Sequence, residues 1–303
     1  MNADKPRSPA ASVVITTHDR DDELATCLTS LQRQTIPLEI IVMDDKGSAA
    51  TRDLVTRIAP TARYLHAGTG QGPAFQRNAG VAAASCEIVF SFDDDVELVD
   101  PTTCERTLPD FADPQVAAIG IPFVNVRISQ EVHHVTAHPR QQLHAFVGAA
   151  HAVRRSAFQQ VGGFRPHYFY MGEEGDLAIR LLDHGHEVRA GTAPPMHHFE
   201  SPRRSSRRAA ICGRKNDVLF VMHNVPMPQA IVHLAGTIVN GLRFGLRHGH
   251  AGWHLRGLAQ GLAEAWQHRR DRRPVSAACY RDYRALKRDS AGAALAWTAG
   301  PQS

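Results

Sequence analysis

The sequence predicts an α/β protein, in which an open, mostly parallel β-sheet carries helices on both faces and a helical extension follows at the C-terminus. Three observations lead to this prediction. Short apolar runs alternate with segments of helical periodicity over the first hundred residues, as is typical of βαβ units. Several of these apolar runs end directly in polar clusters. From about residue 203 onward the pattern becomes helical, basic and rich in histidine.

The spacing of apolar residues predicts each element in turn. Runs of apolar and β-branched residues predict strands, and apolar residues three and four apart predict helices. The predicted strands lie at 12–16, 39–43, 64–66, 87–92, 116–121, 143–152 and 188–190. The predicted helices lie at 24–34, 51–58, 73–84, 154–161 and 173–184. Because ligands bind beyond the carboxyl ends of strands in such sheets, we expect the site at the polar clusters 16–19, 44–45 and 93–95.

The composition is that of an ordinary globular chain, but the charge is unevenly distributed. The chain has 303 residues, 43% hydrophobic and 21% charged, which excludes a disordered, collagen-like or disulfide-stapled chain. Residues 1–200 carry 17 basic and 25 acidic side chains, whereas residues 201–303 carry 17 basic and 5 acidic ones. The net charge of +4 therefore combines an acidic body with a basic section. That section either faces an anionic partner or is a solvated helix surface.

The cysteines and the apolar runs predict a cytoplasmic protein. Five cysteines lack paired spacing, and Cys27, Cys86 and Cys104 lie in or near apolar runs. They indicate small core residues in a reducing compartment rather than a disulfide framework or a zinc site. The apolar run at 13–15 is too short for a signal-peptide core, and no stretch of about 18 uncharged apolar residues occurs. The basic tail and an apolar helix face at 231–246 also fit peripheral attachment to an anionic membrane surface. Nucleic acid is not an expected partner, because the basic clusters lack interleaved aromatic residues.

Acidic and histidine clusters are the first candidates for chemistry. Three consecutive carboxylates at 93–95 repel one another, so they predict a Mg²⁺ or Mn²⁺ site completed by a diphosphate, or else a plain acidic loop. The pair at 44–45 could accept hydrogen bonds from a pyrimidine or from ribose hydroxyls, or could form a turn. His197 or His198 could complete a metal shell.

A glycine-rich loop and a later acidic cluster add further candidates. The loop at 70–72 leads into a helix whose Arg77 and Asn78 could point at bound phosphates. The cluster at 173–176 holds three acids after an aromatic run. A carboxylate in such a cleft could act as a general base, or the acids could simply complement the helix dipole.

The motifs also follow one another in a recognisable order. They are Val-Val-Ile-Thr-Thr-His-Asp-Arg at 13–20, Ile-Ile-Val-Met-Asp-Asp at 40–45, Arg-Asn-x-Gly at 77–80, Phe-Asp-Asp-Asp-Val at 92–96, Val-Gly-Gly-Phe at 161–164, Glu-Glu-x-Asp at 173–176, His197, and Arg-Lys-Asn at 214–216. This ordered set resembles the glycosyltransferase family 2 enzymes of GT-A fold over residues 12–220. The resemblance implies a nucleoside-diphosphate sugar donor (UDP-, dTDP- or GDP-linked), a Mn²⁺ or Mg²⁺ ion, and inversion at the anomeric carbon.

The resemblance also implies roles for individual residues. Glu174 matches the catalytic base. The metal ligands would be Asp93, Asp95 and His197. Asp94 is an alternative because the triplet allows two registers of the Asp-x-Asp motif, and His198 is the residue next to His197. The nucleoside would be held by Thr16, Asp19, Arg20 and Asp45, with Asp44 as the alternative to Asp45.

Two departures from the family pattern concern the turn and the acceptor. Lys46 intervenes before Gly47, where the family has Asp-Asp-Gly-Ser. Arg165 follows Phe164, where the family usually has an acid, and it favours an anionic acceptor. The expected acceptor is a hydroxyl of a glycan, a lipid-linked sugar or a secondary metabolite, and the expected transferred group is a hexose or deoxyhexose.

The expected organisation has three parts. A flexible N-terminus at 1–11 precedes a glycosyltransferase domain at 12–220, whose nucleotide-binding half ends near residue 100, and a basic helical extension covers 221–303. Two alternative functions are a nucleotidylyltransferase and a non-catalytic nucleotide-sugar-binding or membrane-assembly subunit. The first would need a glycine-rich loop after the first strand, and residues 16–20 contain no glycine. The oligomeric state does not follow from the sequence.

Overall fold

The structure is a computed structural model that describes residues 8–128, 132–134, 138–200 and 206–298, apart from the side chains of residues 206 and 290–298. The strands are β1 (Ala11–Thr17), β2 (Leu38–Asp44), β3 (Arg63–Leu65), β4 (Ile88–Asp93), β5 (Val96–Glu97), β6 (Val116–Gly120), β7 (Phe123–Asn125), β8 (Val132–His133), β9 (Ala150–Arg154), β10 (Glu187–Ala190) and β11 (Met196–His198). The helices are α1 (Asp21–Gln32), α2 (Ala49–Ile58), α3 (Pro73–Ala83), α4 (Thr103–Thr107), α5 (Arg155–Gln160), α6 (Glu173–Asp183), α7 (Ser206–Asn224), α8 (Gln229–Arg247), α9 (Ala251–Gln267) and α10 (Ala277–Thr298). Most of the predicted flexible N-terminus, residues 1–7, lies outside the described residues.

A seven-stranded sheet runs through the centre in the order β10-β6-β9-β4-β1-β2-β3. Strand β1 pairs in parallel with β2 and β4, β2 pairs in parallel with β3, and β6 pairs in parallel with β10. Strand β9 runs antiparallel between β4 and β6. The predicted mostly parallel sheet, with a helical region after it, is therefore confirmed.

Strand β1 explains why the sheet must be covered on both faces. All seven of its residues are buried. Val13 and Ile15 pack in one apolar cluster with Leu24 of α1, whereas Val14 packs in a second cluster with Val81 of α3. Because successive strand residues point to opposite faces, a strand buried on both sides reads as a continuous apolar run.

The strand predicted at 143–152 is wrong in its first half, since β9 covers only the end of that range. Two backbone N–H groups in the first half donate to side chains, although the N–H of Leu143 donates to the carbonyl of Val188 in β10 at 2.7 Å. The N–H of Val147 donates to Nε2 of His134, and the N–H of Gly148 donates to Oε1 of Glu174, each at 3.0 Å. An apolar run cannot reveal this, because the acceptors come from elsewhere in the chain.

A second, four-stranded sheet in the order β5-β11-β7-β8 lies beside the first. Its strands have two or three residues each, too short to show a period in the sequence. Strand β5 begins at Val96, directly after the three aspartates, and pairs antiparallel with β11, where Val96 faces His198. The small sheet therefore brings the histidine pair next to the acidic triplet.

Helices α7 to α10 form the predicted C-terminal helical region. Helices α7 and α9 approach closely at Gly257, where a Cβ atom would lie 2.6 Å from the carbonyl oxygen of Ile211. Helix α7 also contacts the sheet domain, because Nδ2 of Asn224 donates to Oδ1 of Asp176 at 2.8 Å. It runs without a break through residue 220, where the sequence predicts a domain boundary. None of the helices in the described ranges has the length and apolar character of a membrane span.

Candidate active site

The carboxyl ends of β1, β2 and β4 meet at one edge of the sheet and enclose a cavity of about 160 Å³. We call it the donor cavity. It is lined by Thr16, Thr17, His18, Arg20, Asp45, Pro73, Gln76, Asp93 and Asp94. The three polar clusters that the sequence places at strand ends therefore converge on one site.

Of the two aspartates after β2, Asp45 faces the donor cavity and Asp44 does not. Asp45 accepts hydrogen bonds from the N–H of Gln71 at 2.8 Å and from Nε2 of Gln76 at 2.7 Å. Asp44 is fully buried and accepts from the Tyr64 hydroxyl at 2.6 Å and from two turn N–H groups at 2.8 Å. Although burial alone would raise it, the pKa of Asp44 lies below its usual range because of these donors. Asp44 thus holds the turn, and Asp45 remains the candidate for the nucleoside.

Two other predicted donor contacts lie away from the cavity. Asp19 has a left-handed backbone with φ of 58°, and its exposed carboxylate pairs with Lys46 Nζ at 2.6 Å. The additional lysine after Asp45 is therefore used in a surface ion pair. Asn78 exchanges two hydrogen bonds with the backbone of Phe164, at 2.7 and 2.9 Å, and so fixes a loop instead of reaching a ligand.

Arg20 bridges two of the three consecutive aspartates. Its Nη1 atom lies 2.9 Å from Oδ1 of Asp94, and its Nη2 atom lies 2.9 Å from Oδ2 of Asp95. Asp94 also accepts from the Thr17 hydroxyl at 2.8 Å. Burial raises the pKa of Asp94 to about 8 despite Arg20. Although burial opposes it, His198 and Arg20 lower the pKa of Asp95 to about 2.

Asp93, Asp95 and His198 form a candidate metal centre, since one ligand atom from each lies within 4.8 Å of the others. Oδ1 of Asp95 and Nε2 of His198 lie 3.3 Å apart and face each other, and neither atom has any other polar partner among the described residues. Buried polar atoms of this kind are normally satisfied, and a divalent cation would satisfy both. Two carboxylates and one imidazole, with diphosphate oxygens added, suit Mn²⁺ or Mg²⁺.

His197, the histidine predicted as a metal ligand, does not reach this cluster. Its side chain is 40% exposed, and its Nδ1 atom lies 3.8 Å from Oε2 of Glu97. Consecutive residues of β11 point to opposite faces, so only His198 turns toward Asp95. We therefore replace His197 by His198 in the candidate ligand set.

Arg77 connects the metal candidates with the acids of α6. Its side chain is buried, and its Nη2 atom lies 2.7 Å from Oδ1 of Asp93. Its Nη1 atom lies 3.1 Å from Oε1 of Glu173. Burial opposes the charge of Arg77, but Asp93, Glu173 and Glu174 together raise the pKa of this side chain.

A second cavity of about 320 Å³, which we call the acceptor cavity, adjoins the first. Glu174, Asp93 and His198 all line it. Oε1 of Glu174 accepts the Gly148 N–H at 3.0 Å. Burial raises the pKa of Glu174, with Arg77 opposing the shift, and a carboxylate with a raised pKa is a better proton acceptor near neutral pH.

Arg165 and Asp176 are part of the protein interior and not of the acceptor cavity. Arg165 Nη1 contacts Oδ1 of Asp176 closely, and Arg180 Nη2 lies 2.7 Å from its Oδ2. Although burial opposes it, the two arginines lower the pKa of Asp176 to about 2. The expectation that Arg165 favours an anionic acceptor therefore loses its structural basis, because the guanidinium already has a buried partner.

Sequence reasoning missed two residues that orient the candidate groups. Gln76 holds Asp45, and the Thr17 hydroxyl holds Asp94. Gln76 lies one turn into α3, after Gly72 and next to Arg77, and this position close to the glycine-rich loop could have indicated it. Thr17 could have been found from its place at the end of β1, beside the predicted site residues.

Sequence comparison identifies the family. The sequence model described as "Glycosyl transferase family 2" matches residues 12–166, which include the donor cavity and the acidic triplet. The chain belongs to glycosyl transferase family 2. Among its curated relatives, this family 2 chain is 30% identical over 210 residues to the pre-mycofactocin glycosyltransferase of Mycobacterium tuberculosis, a match that covers 61% of this chain and 43% of the relative. The chain thus spans less than half of that relative's length.

Solved structures show the same fold for this family 2 chain. The mannosyltransferase PcManGT of Pyrobaculum calidifontis, in complex with GDP-Man and Mn²⁺, superimposes with a TM-score of 0.55 at 19% identity, covering 86% of this chain and 87% of that one. TarS 1–349 of S. aureus, in complex with UDP-GlcNAc, superimposes with a TM-score of 0.61 at 12% identity, covering 83% and 80%. These likenesses confirm the GT-A fold that the motifs implied.

Proposed function

We propose that the protein is a metal-dependent, inverting glycosyltransferase that moves a hexose or deoxyhexose from a nucleoside diphosphate to an acceptor hydroxyl. The observation that carries the proposal is the shared wall of the two cavities. Asp93 lines both of them, with Asp45 on the donor side and Glu174 on the acceptor side. One carboxylate cluster thus lies between the donor cavity and a candidate base.

The donor cavity suits the nucleoside and the diphosphate. Asp45, held by Gln71 and Gln76, presents an acceptor to a base or ribose donor. Asp93, Asp95 and His198 would hold a Mn²⁺ or Mg²⁺ ion against the diphosphate. When bound, such an ion would neutralise the charge that develops on the leaving diphosphate. Solved relatives of the fold are complexes with GDP-Man and Mn²⁺ and with UDP-GlcNAc, and this supports the donor class.

The acceptor side needs a single proton acceptor. Glu174 would take the proton of the acceptor hydroxyl as its oxygen attacks the anomeric carbon opposite the diphosphate. Gly148 fixes one oxygen of this carboxylate through its N–H. Direct displacement of this kind inverts the anomeric configuration and needs no carboxylate pair about 5–5.5 Å apart, as a retaining hydrolase does.

We also propose peripheral association with an anionic membrane surface, which would suit a lipid-linked acceptor. Apolar side chains on α8 and α9 are exposed, among them Ile231 at 63%, Leu246 at 71% and Trp266 at 71%. Arg243 and Arg247 are exposed near them on α8. An apolar helix face flanked by arginines suits the surface of an anionic bilayer. Flotation with phosphatidylglycerol vesicles at low salt tests this, and no flotation would refute it.

The transfer reaction is tested with a panel of nucleotide sugars. We expect at least one UDP-, dTDP- or GDP-sugar to raise the thermal unfolding midpoint in the presence of Mn²⁺ and to release nucleoside diphosphate when a suitable acceptor is added. The release should stop on addition of EDTA and return with Mn²⁺. Chelator-insensitive release, or release of nucleoside monophosphate and sugar 1-phosphate in place of nucleoside diphosphate, would contradict the proposal.

A further inference from the structure

A second group of metal-ligating side chains lies between the C-terminal helices and the loop that precedes α6. His167 lies in the short 3-10 turn Pro166–Tyr168, His268 follows the end of α9, and Asp271 lies in the next turn, Arg269–Asp271. One ligand atom from each lies within 4.8 Å of the other two. Two separate segments of the chain therefore bring two imidazoles and a carboxylate together.

The side chains of this group also contact one another. The rings of His167 and His268 stack, with centroids 4.2 Å apart and planes at 14°. Nδ1 of His268 lies 3.2 Å from Oδ2 of Asp271. A third imidazole, His223 of α7, lies 5.1 Å from His167 between ring centroids.

Several of the ring nitrogens in this region are buried and make no hydrogen bond with the described residues. Nε2 of His167 and both ring nitrogens of His223 have no hydrogen-bond partner in the described part of the chain. Leaving a buried polar nitrogen unpaired costs free energy, so such atoms call for a partner such as an ion. The backbone around them is firmly held, since Lys215 Nζ donates to the carbonyl of His167 at 3.0 Å.

We propose that His167, His268 and Asp271 bind a Zn²⁺ ion, whose fourth ligand would be water. Zinc takes four nitrogen, sulfur or oxygen ligands in tetrahedral sites, and imidazole suits it better than it suits Mg²⁺ or Mn²⁺. The ion would tie the end of α9 to the turn that leads into the Glu174 segment. This inference does not depend on the transfer reaction, because none of these residues lines the donor or acceptor cavity.

The test measures zinc retained by the purified full-length chain after dialysis in excess Mg²⁺, which occupies the carboxylate cluster at Asp93. We compare wild type with His268→Ala and with the control His248→Ala, which replaces an exposed histidine of the α8–α9 turn. We expect His268→Ala to lose about one zinc ion per chain, because one tetrahedral site binds one ion. His248→Ala should retain that ion. Equal retention in all three proteins, or an equal loss in both variants, overturns the proposal.

Thermal unfolding with and without Zn²⁺ gives a second readout that is independent of turnover. Zinc should raise the unfolding midpoint of wild type and of His248→Ala but not that of His268→Ala, because a ligand bound only to the folded state stabilises it. Should His268→Ala fail to fold, Asp271→Asn takes its place, since this side chain is 52% exposed and its shape is kept. If Zn²⁺ raises the unfolding midpoint of the folded variant as much as that of wild type, the site is overturned.

Discussion

Gly148 shows how one missing side chain arranges two others. A Cβ atom at this position would lie 2.7 Å from Oε1 of Glu174 and 2.8 Å from Nη2 of Arg77. The absence of a Cβ atom thus lets the backbone N–H approach the proposed base, while the arginine passes beside it. Both groups belong to the acceptor cavity, so this position controls geometry there without touching the donor cavity.

Gly148→Ala should therefore lower kcat by about 10²-fold, the cost of misplacing a reacting group by roughly 1 Å, while the KM for the donor stays nearly unchanged. Gly213→Ala is the matched control, because a Cβ atom there meets nothing within 4 Å. Steady-state kinetics with the donor and acceptor found in the panel would measure both. An alanine at position 148 that leaves kcat intact would contradict the tight packing around Glu174.

Glu174→Gln should lower kcat by about 10²–10⁴-fold, because the amide cannot accept the proton. The donor should bind as before, as measured by thermal stabilisation with Mn²⁺. The wild-type rate should fall with decreasing pH at a higher pH than for an ordinary glutamate, because burial raises the pKa of Glu174 and only the carboxylate is a base. This fall in rate at low pH should be absent from the pH profile of the variant. If it persists there, it belongs to another group.

At the scale of elements, strand β11 decides which histidine can serve the metal. His198 is buried beside Asp95, and its neighbour His197 points to the other face of a strand of three residues. The two residues are chemically identical in the sequence, so pattern alone could not separate them. Only the pairing of β11 with β5, which follows the acidic triplet, makes the choice.

His198→Ala should raise the Mn²⁺ concentration needed for half-maximal activity by at least about tenfold, because a direct ligand is removed. His197→Ala, one residue away on the same strand, should leave that concentration unchanged. A Mn²⁺ titration of nucleoside diphosphate release measures both variants. Equal responses in the two variants would contradict the orientation of β11.

Local sequence signals explain what could be predicted of these elements. Strand β1 and the helices around it follow from apolar spacing, because both faces of the strand are buried. The segment at 143–149 could not be predicted, since the N–H groups of Val147 and Gly148 donate to His134 and Glu174, which are distant in sequence. The distinction between Asp44 and Asp45 was equally hidden, because it depends on the Tyr64 hydroxyl of β3.

At the scale of the whole molecule, Asp176 connects the sheet domain with the C-terminal helices. It is fully buried and contacts Arg165, Arg180 and Asn224, the last of these near the end of α7. A buried charge of this kind is tolerated because every partner is in place. The family resemblance ends near this helix, yet the network shows that the helices pack on the domain as an integral part.

Asp176→Asn should lower the free energy of unfolding by about 3 kcal/mol, because two buried guanidinium groups lose their counter-charge. Asp53→Asn, an exposed carboxylate on α2, is the control and should change it little. Urea denaturation followed by circular dichroism measures both. A loss no larger than that of the control would show that the arginines find other partners.

The wall between the donor and acceptor cavities has a kinetic consequence. Pro73 and Asp93 line both cavities, and Asp93 is paired with Arg77. A diphosphate bound in the donor cavity would therefore change the electrostatic field that an incoming hydroxyl meets in the acceptor cavity. We expect catalysis organised in this way to follow a compulsory order, in which the donor enters first and the spent nucleotide leaves last. The nucleoside diphosphate should accordingly inhibit competitively against the donor and non-competitively against the acceptor.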